Sequence, residues 1–287
     1  MALATQSQPT TERRIWRAPI SKTCWLWLAV SIVLYAGVYA WYLIALKTQP
    51  FVAPTLDPLR FFGIISFVMV LGVAAYSLRR RFMRSLPGMT RSWLWMHTWL
   101  GIVTILIAFL HENYAYIVPL SNLTQFDLGP LALLALLLLV LSGIAGRLLD
   151  MWQAHVIAHD ANENGVGIAS ALEERILELE YTVERLCAGK SEPFKDYCMR
   201  ALDEANGIAA LSAPALAPQE QADFQRVQKA LLDHARLKAS LQRQKQAHLI
   251  FRSWRYVHMA LATLALLVIL YHALLEILTS ILRVRFG

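Results

Sequence analysis

A chain of 287 residues that is 57% hydrophobic and 16% charged carries more apolar surface than a water-soluble domain of that length can bury, which argues against a soluble protein. Its net charge of +7 comes from cations gathered beside apolar blocks, a pattern of membrane topology and not of nucleic-acid binding.

In chain order, residues 1–24 form a polar, basic tail with Arg13, Arg14, Arg17 and Lys22. The stretch ERRIWR faintly suggests a twin-arginine signal, but the apolar run after it is too long for a signal core and lacks a small-residue cleavage site. The first block, Trp25 to Leu46, is therefore expected to be a retained span. Four more blocks suit the roughly 20 residues that a bilayer-crossing helix needs: Phe61 to Leu78, Trp93 to Ile117, Leu128 to Ala145 and Val257 to Leu278. The expected fold is all-α, an integral membrane bundle of five transmembrane helices. Residues 25–146 hold the first four, residues 147–254 a cytoplasmic helical-hairpin insertion, and residues 255–287 the fifth with a short outer tail.

The cations set the expected orientation. Arg79, Arg80, Arg81, Arg84 and Arg91 fill the link between the second and third spans, whereas residues 47–60 and 118–127 are poor in cations. The N-terminus is thus expected in the cytoplasm and the C-terminus outside, in a multi-pass protein of the inner membrane; Arg283 and Arg285 run mildly against this scheme.

Fifteen of the 20 acidic residues lie between Arg147 and Arg255. Leu172, Ile176, Leu179, Val183 and Leu186 step by four, three, four and three, the seam of a helix packed on another helix. AGKSEP and SAPALAP read as breaks, and one long polar helix is expected to run from Pro218 into the fifth span. Residues 150–204 carry twelve acids against five bases, while 220–255 carry three against eight, so two antiparallel arms of opposite charge are expected. Such a module either links two spans or docks a soluble redox partner. His155 and His159 share a helix face at metal-ligand spacing, but no third ligand stands out; His234 and His248 are expected to be solvated.

Cys24, Cys187 and Cys198 form no Cys-x-x-Cys or Cys-x-x-Cys-His pattern and read as buried or idle thiols. GVGIAS at Gly165 lacks the preceding strand and third glycine of a dinucleotide loop, so flavin or nicotinamide chemistry would belong to a partner.

The strongest pattern is a pair of matched intervals. His97 and His111 enclose one apolar run, His258 and His272 another, and each pair is fourteen residues apart. Fourteen residues of α-helix advance about 21 Å and turn about 40° short of four revolutions, so both histidines of a pair face one side at opposite edges of the hydrocarbon. The third and fifth spans run in the same direction, which sets His97 level with His258 and His111 level with His272. Two facing neutral imidazoles at one depth meet the axial requirement of six-coordinate haem. Arg-Ser-Trp precedes the first histidine of each pair at equal distance, in RSWLWMH and RSWRYVH. Arg91 and Arg252 would reach either haem propionates or lipid phosphate, and Trp93 and Trp254 fit an aromatic belt. Gly101 and Ala262, one turn after His97 and His258, either leave room for a macrocycle or allow close helix packing. The same two readings hold for Ser142, Gly143, Ala145 and Gly146, with Arg147 a further propionate candidate. Glu112 and Glu276 would orient a histidine, take a proton from a quinol, or reach the headgroups.

Two like-directed helices with His-x13-His, the preceding Trp and Arg, and SGIAGR at 142–147 together resemble the membrane-embedded di-haem cytochrome b family, in particular bacterial cytochrome b-like subunits. The resemblance covers the membrane part of the chain. It implies two b-type haems, with His97, His111, His258 and His272 as iron ligands. It implies conduction of electrons between a quinone pool or cytoplasmic redox protein and an outer-side partner, as an electron-transfer subunit of an oxidoreductase complex. A flavoprotein, an iron-sulfur protein or a multihaem cytochrome would be the partner; no motif places a quinone site. Alternatives are a ferric-reductase-like subunit working with a separate flavoprotein, and a haem-free scaffold or ion carrier.

The orientation is tested by fusions. Alkaline phosphatase joined after Ala53 is expected to be active and a fluorescent protein joined after Leu86 to glow; the opposite pattern reverses the topology.

Overall fold

The computed structural model describes residues 22–82, 88–114, 128–203, 214 and 216–281, and the side chains of all of these except residues 80, 81, 280 and 281. Arg13, Arg14, Arg17, Arg84, Arg283, Arg285 and residues 115–117 of the expected third span lie outside the described residues. Helices supply the regular structure: α1 (Lys22–Thr48), α2 (Leu59–Arg81), α3 (Thr90–His111), α4 (Leu128–Asn164), α5 (Ala169–Cys187), α6 (Glu192–Asp203) and α7 (Gln221–Glu276). No strand occurs among the described residues. Five helices are long and apolar enough to cross a membrane: α1, α2, α3, α4 and α7. Helix is the form that lets such segments satisfy every backbone polar group within themselves. Their outward faces carry Val33 at 71% exposure and Trp25, Leu264 and Leu267 at 60%, surfaces suited to lipid.

The chain divides into two compact units, one of residues 1–147 and 255–287, the other of residues 148–254. In the first, Val38 and Tyr42 of α1 pack with Leu59, Phe62 and Met69 of α2 and Val103, Ile107 and Leu110 of α3. A second cluster joins Val70 of α2, Ile105 and Ala108 of α3, Ala132, Leu133 and Leu136 of α4, and Ile269 of α7. Polar ties fix α1 at both ends of α3: Trp27 Nε1 donates to Ser92 Oγ at 3.0 Å, and Tyr42 Oη to Asn113 Oδ1 at 2.7 Å. The third span was expected to run to Ile117, but α3 ends at His111, because Asn113 and Tyr114 turn left-handed with φ of 50° and 57°. Asparagine tolerates that conformation, and the Tyr42 hydrogen bond holds it there.

In the second unit the seam residues of α5 meet α7 in reverse order. Leu172 and Ile176 pack with Leu237 and Leu241, and Val183 packs with Val227 and Leu231 together with Phe194, Tyr197, Cys198 and Ala201 of α6. Glu173 pairs with Lys245 at 2.9 Å in the expected sense, acid on the first arm and base on the second, whereas Lys190 of the α5–α6 link pairs with Asp223 in the reverse sense. Asp160, 1% exposed, accepts from Arg243 at 2.7 Å and Gln244 at 3.2 Å. Ser191 donates its amide and hydroxyl to Glu220 and so holds that carboxyl below the usual range.

One expectation is corrected here. His234 is not solvated but 2% exposed, its Nε2 3.1 Å from Glu180 Oε1. It falls on the α7 face that meets α5, where the carboxylate satisfies the ring that burial strips of water. His248 is exposed, as expected, near Gln153 at 3.4 Å.

Leu172 is fully buried in this unit. Leu172→Ala is expected to cost about 2–5 kcal/mol, seen as a lower helix-melting midpoint of the full chain in detergent.

Candidate functional site

The four histidines come together in two pairs. The rings of His97 on α3 and His258 on α7 have centres 6.5 Å apart and planes at 83°. His111 and His272 line one cavity of about 330 Å³, which Glu112, Glu276 and Arg60 also border. The described stretch of α7 that carries His258 and His272 therefore runs in the same direction as α3.

Each imidazole has two nitrogens, and hydrogen bonds decide which one remains a donor of electrons. Val73 O accepts from His97 Nδ1 at 3.0 Å, and Leu59 O accepts from His111 Nδ1 at 2.7 Å. A carbonyl cannot donate, so Nδ1 holds the proton and Nε2 keeps its lone pair in the neutral ring. His258 reaches the same state through a hydroxyl. Ser142 Oγ uses its one hydrogen on Leu139 O at 2.8 Å, so at 2.7 Å it accepts from His258 Nδ1. Three of the four rings are thus presented as Nε2 ligands, each oriented through its other nitrogen, the arrangement that metal-ligating histidines adopt.

Glycines face the rings. A Cβ on Gly63 would lie 2.8 Å from His111 Cε1, one on Gly129 3.7 Å from His272 Cε1, and one on Gly143 3.6 Å from His258 Cε1. These contacts share one register. The accepting carbonyls on α2, Leu59 and Val73, are fourteen apart, as are the glycines on α4, Gly129 and Gly143, and as are the histidines on α3 and α7. Because α2 and α4 run opposite to α3, one interval repeated on four helices brings each carbonyl or glycine opposite its ring.

The other expected site residues are placed less uniformly. Gly101 does not face a ring: a Cβ there would meet Val73 Cγ1 at 4.0 Å, so its small size serves the approach of α2 and α3. Arg91 is exposed in the first turn of α3, and Arg252 is exposed on α7 within the second unit. Arg147 lies over the Trp95 ring at 4.8 Å, and Arg79, buried, over Trp93 at 5.2 Å. Glu112 is buried, its Oε1 3.8 Å from His111 Nε2, too far for a hydrogen bond. His159, Asp160 and Glu163 have ligand atoms within 4.8 Å of one another, but Asp160 is already engaged by Arg243 and Gln244, and His155 does not join them.

Arg60, Gly63 and Gly129 were missed in the sequence. Gly129 had a signal, since with Gly143 it repeats the histidine interval; Gly63 and Arg60 had none, because their places at the cavity follow from the packing of α2.

The donor set fits a metal held axially between paired imidazoles. With metal–nitrogen bonds of about 2 Å and about 1.1 Å from ring centre to nitrogen, two imidazoles on opposite sides of one ion have centres about 6 Å apart. The His97–His258 separation of 6.5 Å is close to that value. Perpendicular planes are compatible with it, because two bonds to one ion set no angle between the ring planes.

Gly63→Ala tests the close fit at His111. Overpacking of this kind costs about 1–3 kcal/mol, so a lower unfolding midpoint is expected for the full chain, whereas Gly37→Ala, which meets nothing within 4 Å, leaves it unchanged. Comparison with protein-family models, curated proteins and solved structures finds no match for this chain.

Proposed function

We propose that the chain is a di-haem b-type cytochrome that conducts electrons across the cytoplasmic membrane of a prokaryote. The observation that carries this reading is the set of imidazoles whose Nδ1 atoms are engaged by Val73, Leu59 and Ser142, leaving Nε2 lone pairs at two stations. Haem, when bound, supplies reversible one-electron chemistry at iron. The chain's own residues do the rest.

His97 and His258 hold one haem and His111 and His272 the other, with the stations about 21 Å apart along the helices. Gly63, Gly129 and Gly143 keep space beside the rings, and the apolar walls from α2, α3, α4 and α7 exclude water. Exclusion of water and fixed axial ligation set the potentials. Arg60 at the cavity, and Arg91 and Arg147 toward the opposite ends of their helices, would supply cations for propionates. The N-terminus and the 148–254 unit are cytoplasmic in this reading. Moving one electron through 100 mV involves about 2.3 kcal/mol, so a modest potential difference between stations suffices to favour a direction.

The chain then acts as an electron-transfer subunit between a quinone pool or cytoplasmic redox protein and a partner on the outer face. A flavoprotein, an iron-sulfur protein or a multihaem cytochrome supplies or takes the electrons.

The test is haem content by alkaline pyridine spectrum on chain purified from a haem-replete host. Two haems per chain are expected, with one lost in His97→Ala or His258→Ala and the other lost in His111→Ala or His272→Ala. A folded, colourless protein with no redox signal overturns the reading in favour of a haem-free scaffold or ion carrier.

A further inference from the structure

The 148–254 unit holds a second chemical feature, which has no part in the haem reading. Cys187 ends α5 and Cys198 lies nearly two turns into α6, with the short AGKS connection between the two helices. The sequence offers no recognisable motif here, yet α5 and α6 pack together and bring the thiols side by side. The two thiols are close enough for each to shift the other's titration. Cys198 is buried, with 1% exposure, against Phe194 and Tyr197, whereas Cys187 is half-buried. Both sulfurs line one cavity of about 280 Å³, bordered as well by Glu184, Lys195 and Met199.

That asymmetry resembles an attacking thiol and a resolving thiol. The half-buried Cys187 is the thiol a small molecule can reach, and Cys198 beside it is shielded from solvent. Burial pushes both thiols up, so the pair is sluggish toward weak oxidants at neutral pH and stays reduced in a reducing thiol pool. The cavity gives a small molecule access to Cys187, and the Lys195 ammonium at its border favours an anionic one.

We propose that Cys187 and Cys198 form a reversible dithiol–disulfide pair that reacts with low-molecular-weight disulfides. The Cys187 thiolate attacks one sulfur of the small disulfide, forming a mixed disulfide and releasing one thiolate. Cys198 loses its proton and attacks the Cys187 sulfur of that mixed disulfide, and the second small thiol leaves. In sum, two protein thiols are oxidised to one cystine and one small disulfide is reduced to two thiols. The bridge covalently fixes α6 to the C-terminal end of α5, so the module is stiffened under oxidising conditions.

The test uses the full-length chain in detergent at pH 8, incubated with oxidised glutathione and then denatured for thiol counting with a maleimide and for intact mass. Expected is one remaining thiol, that of Cys24, a mass two hydrogens lighter than the reduced chain with no adduct, and reversal by dithiothreitol. Cys198→Ser is expected to trap one glutathionyl group on Cys187, and Cys187→Ser to leave Cys198 unmodified. Three thiols persisting in the wild-type chain, or a stable adduct in place of the bridge, overturns the proposal even if both variants fail to fold. None of these outcomes depends on haem being present.

Discussion

An imidazole placed in hydrocarbon must give its N–H to an acceptor, and that requirement organises the membrane unit. Leaving such a group unpaired costs about 2–7 kcal/mol, while a net hydrogen bond contributes only about 1 kcal/mol. Avoiding the penalty therefore matters more than the bond itself. For His97, His111 and His258 the acceptor comes from a neighbouring helix. Val73 O and Leu59 O fill the role from α2, using the second lone pair of a carbonyl, and Ser142 fills it from α4. Satisfying Nδ1 in this way also leaves Nε2 unprotonated, so the same contact that makes the ring tolerable leaves it able to bind a metal.

The positions of four helices follow from this. With histidines fourteen residues apart on α3, the acceptors on an antiparallel neighbour must also lie fourteen apart, and Leu59 and Val73 do. Glycines at the same interval on α4 lie beside the rings carried by α7, where a Cβ would come into van der Waals contact with each ring. The two stations differ in their surroundings. His97 has the Tyr76 ring 5.1 Å away, whereas His111 and His272 share their cavity with two carboxylates and Arg60. Charged groups beside one station and aromatic groups beside the other give the two sites different electrostatics within one repeated frame.

The 148–254 unit obeys the rules of a water-soluble helical module. Its apolar seam is narrow, its buried Asp160 and His234 are paired, and opposite charges meet across α5 and α7. Its two cysteines face each other only because α5 and α6 fold back over a short link at Gly189, whose φ of 74° suits glycine.

The sequence by itself determined the helical, membrane-spanning character, the places of the spans and the matched histidines, because hydropathy over 20 residues and a fourteen-residue interval are one-dimensional signals. It also determined the α5 seam and the long helix that carries the fifth span. Only the tertiary structure decided what the histidines touch. Backbone carbonyls leave no trace in residue identity, so the roles of Leu59 and Val73 were invisible. For Gly101 two roles were open, room for a macrocycle or close helix packing, and its neighbour is Val73 of α2, whereas the glycines that face the imidazole rings come from other helices. His234 is a similar case: on a polar helix its burial depends on which face α5 covers, and that is set by packing between segments far apart in the chain.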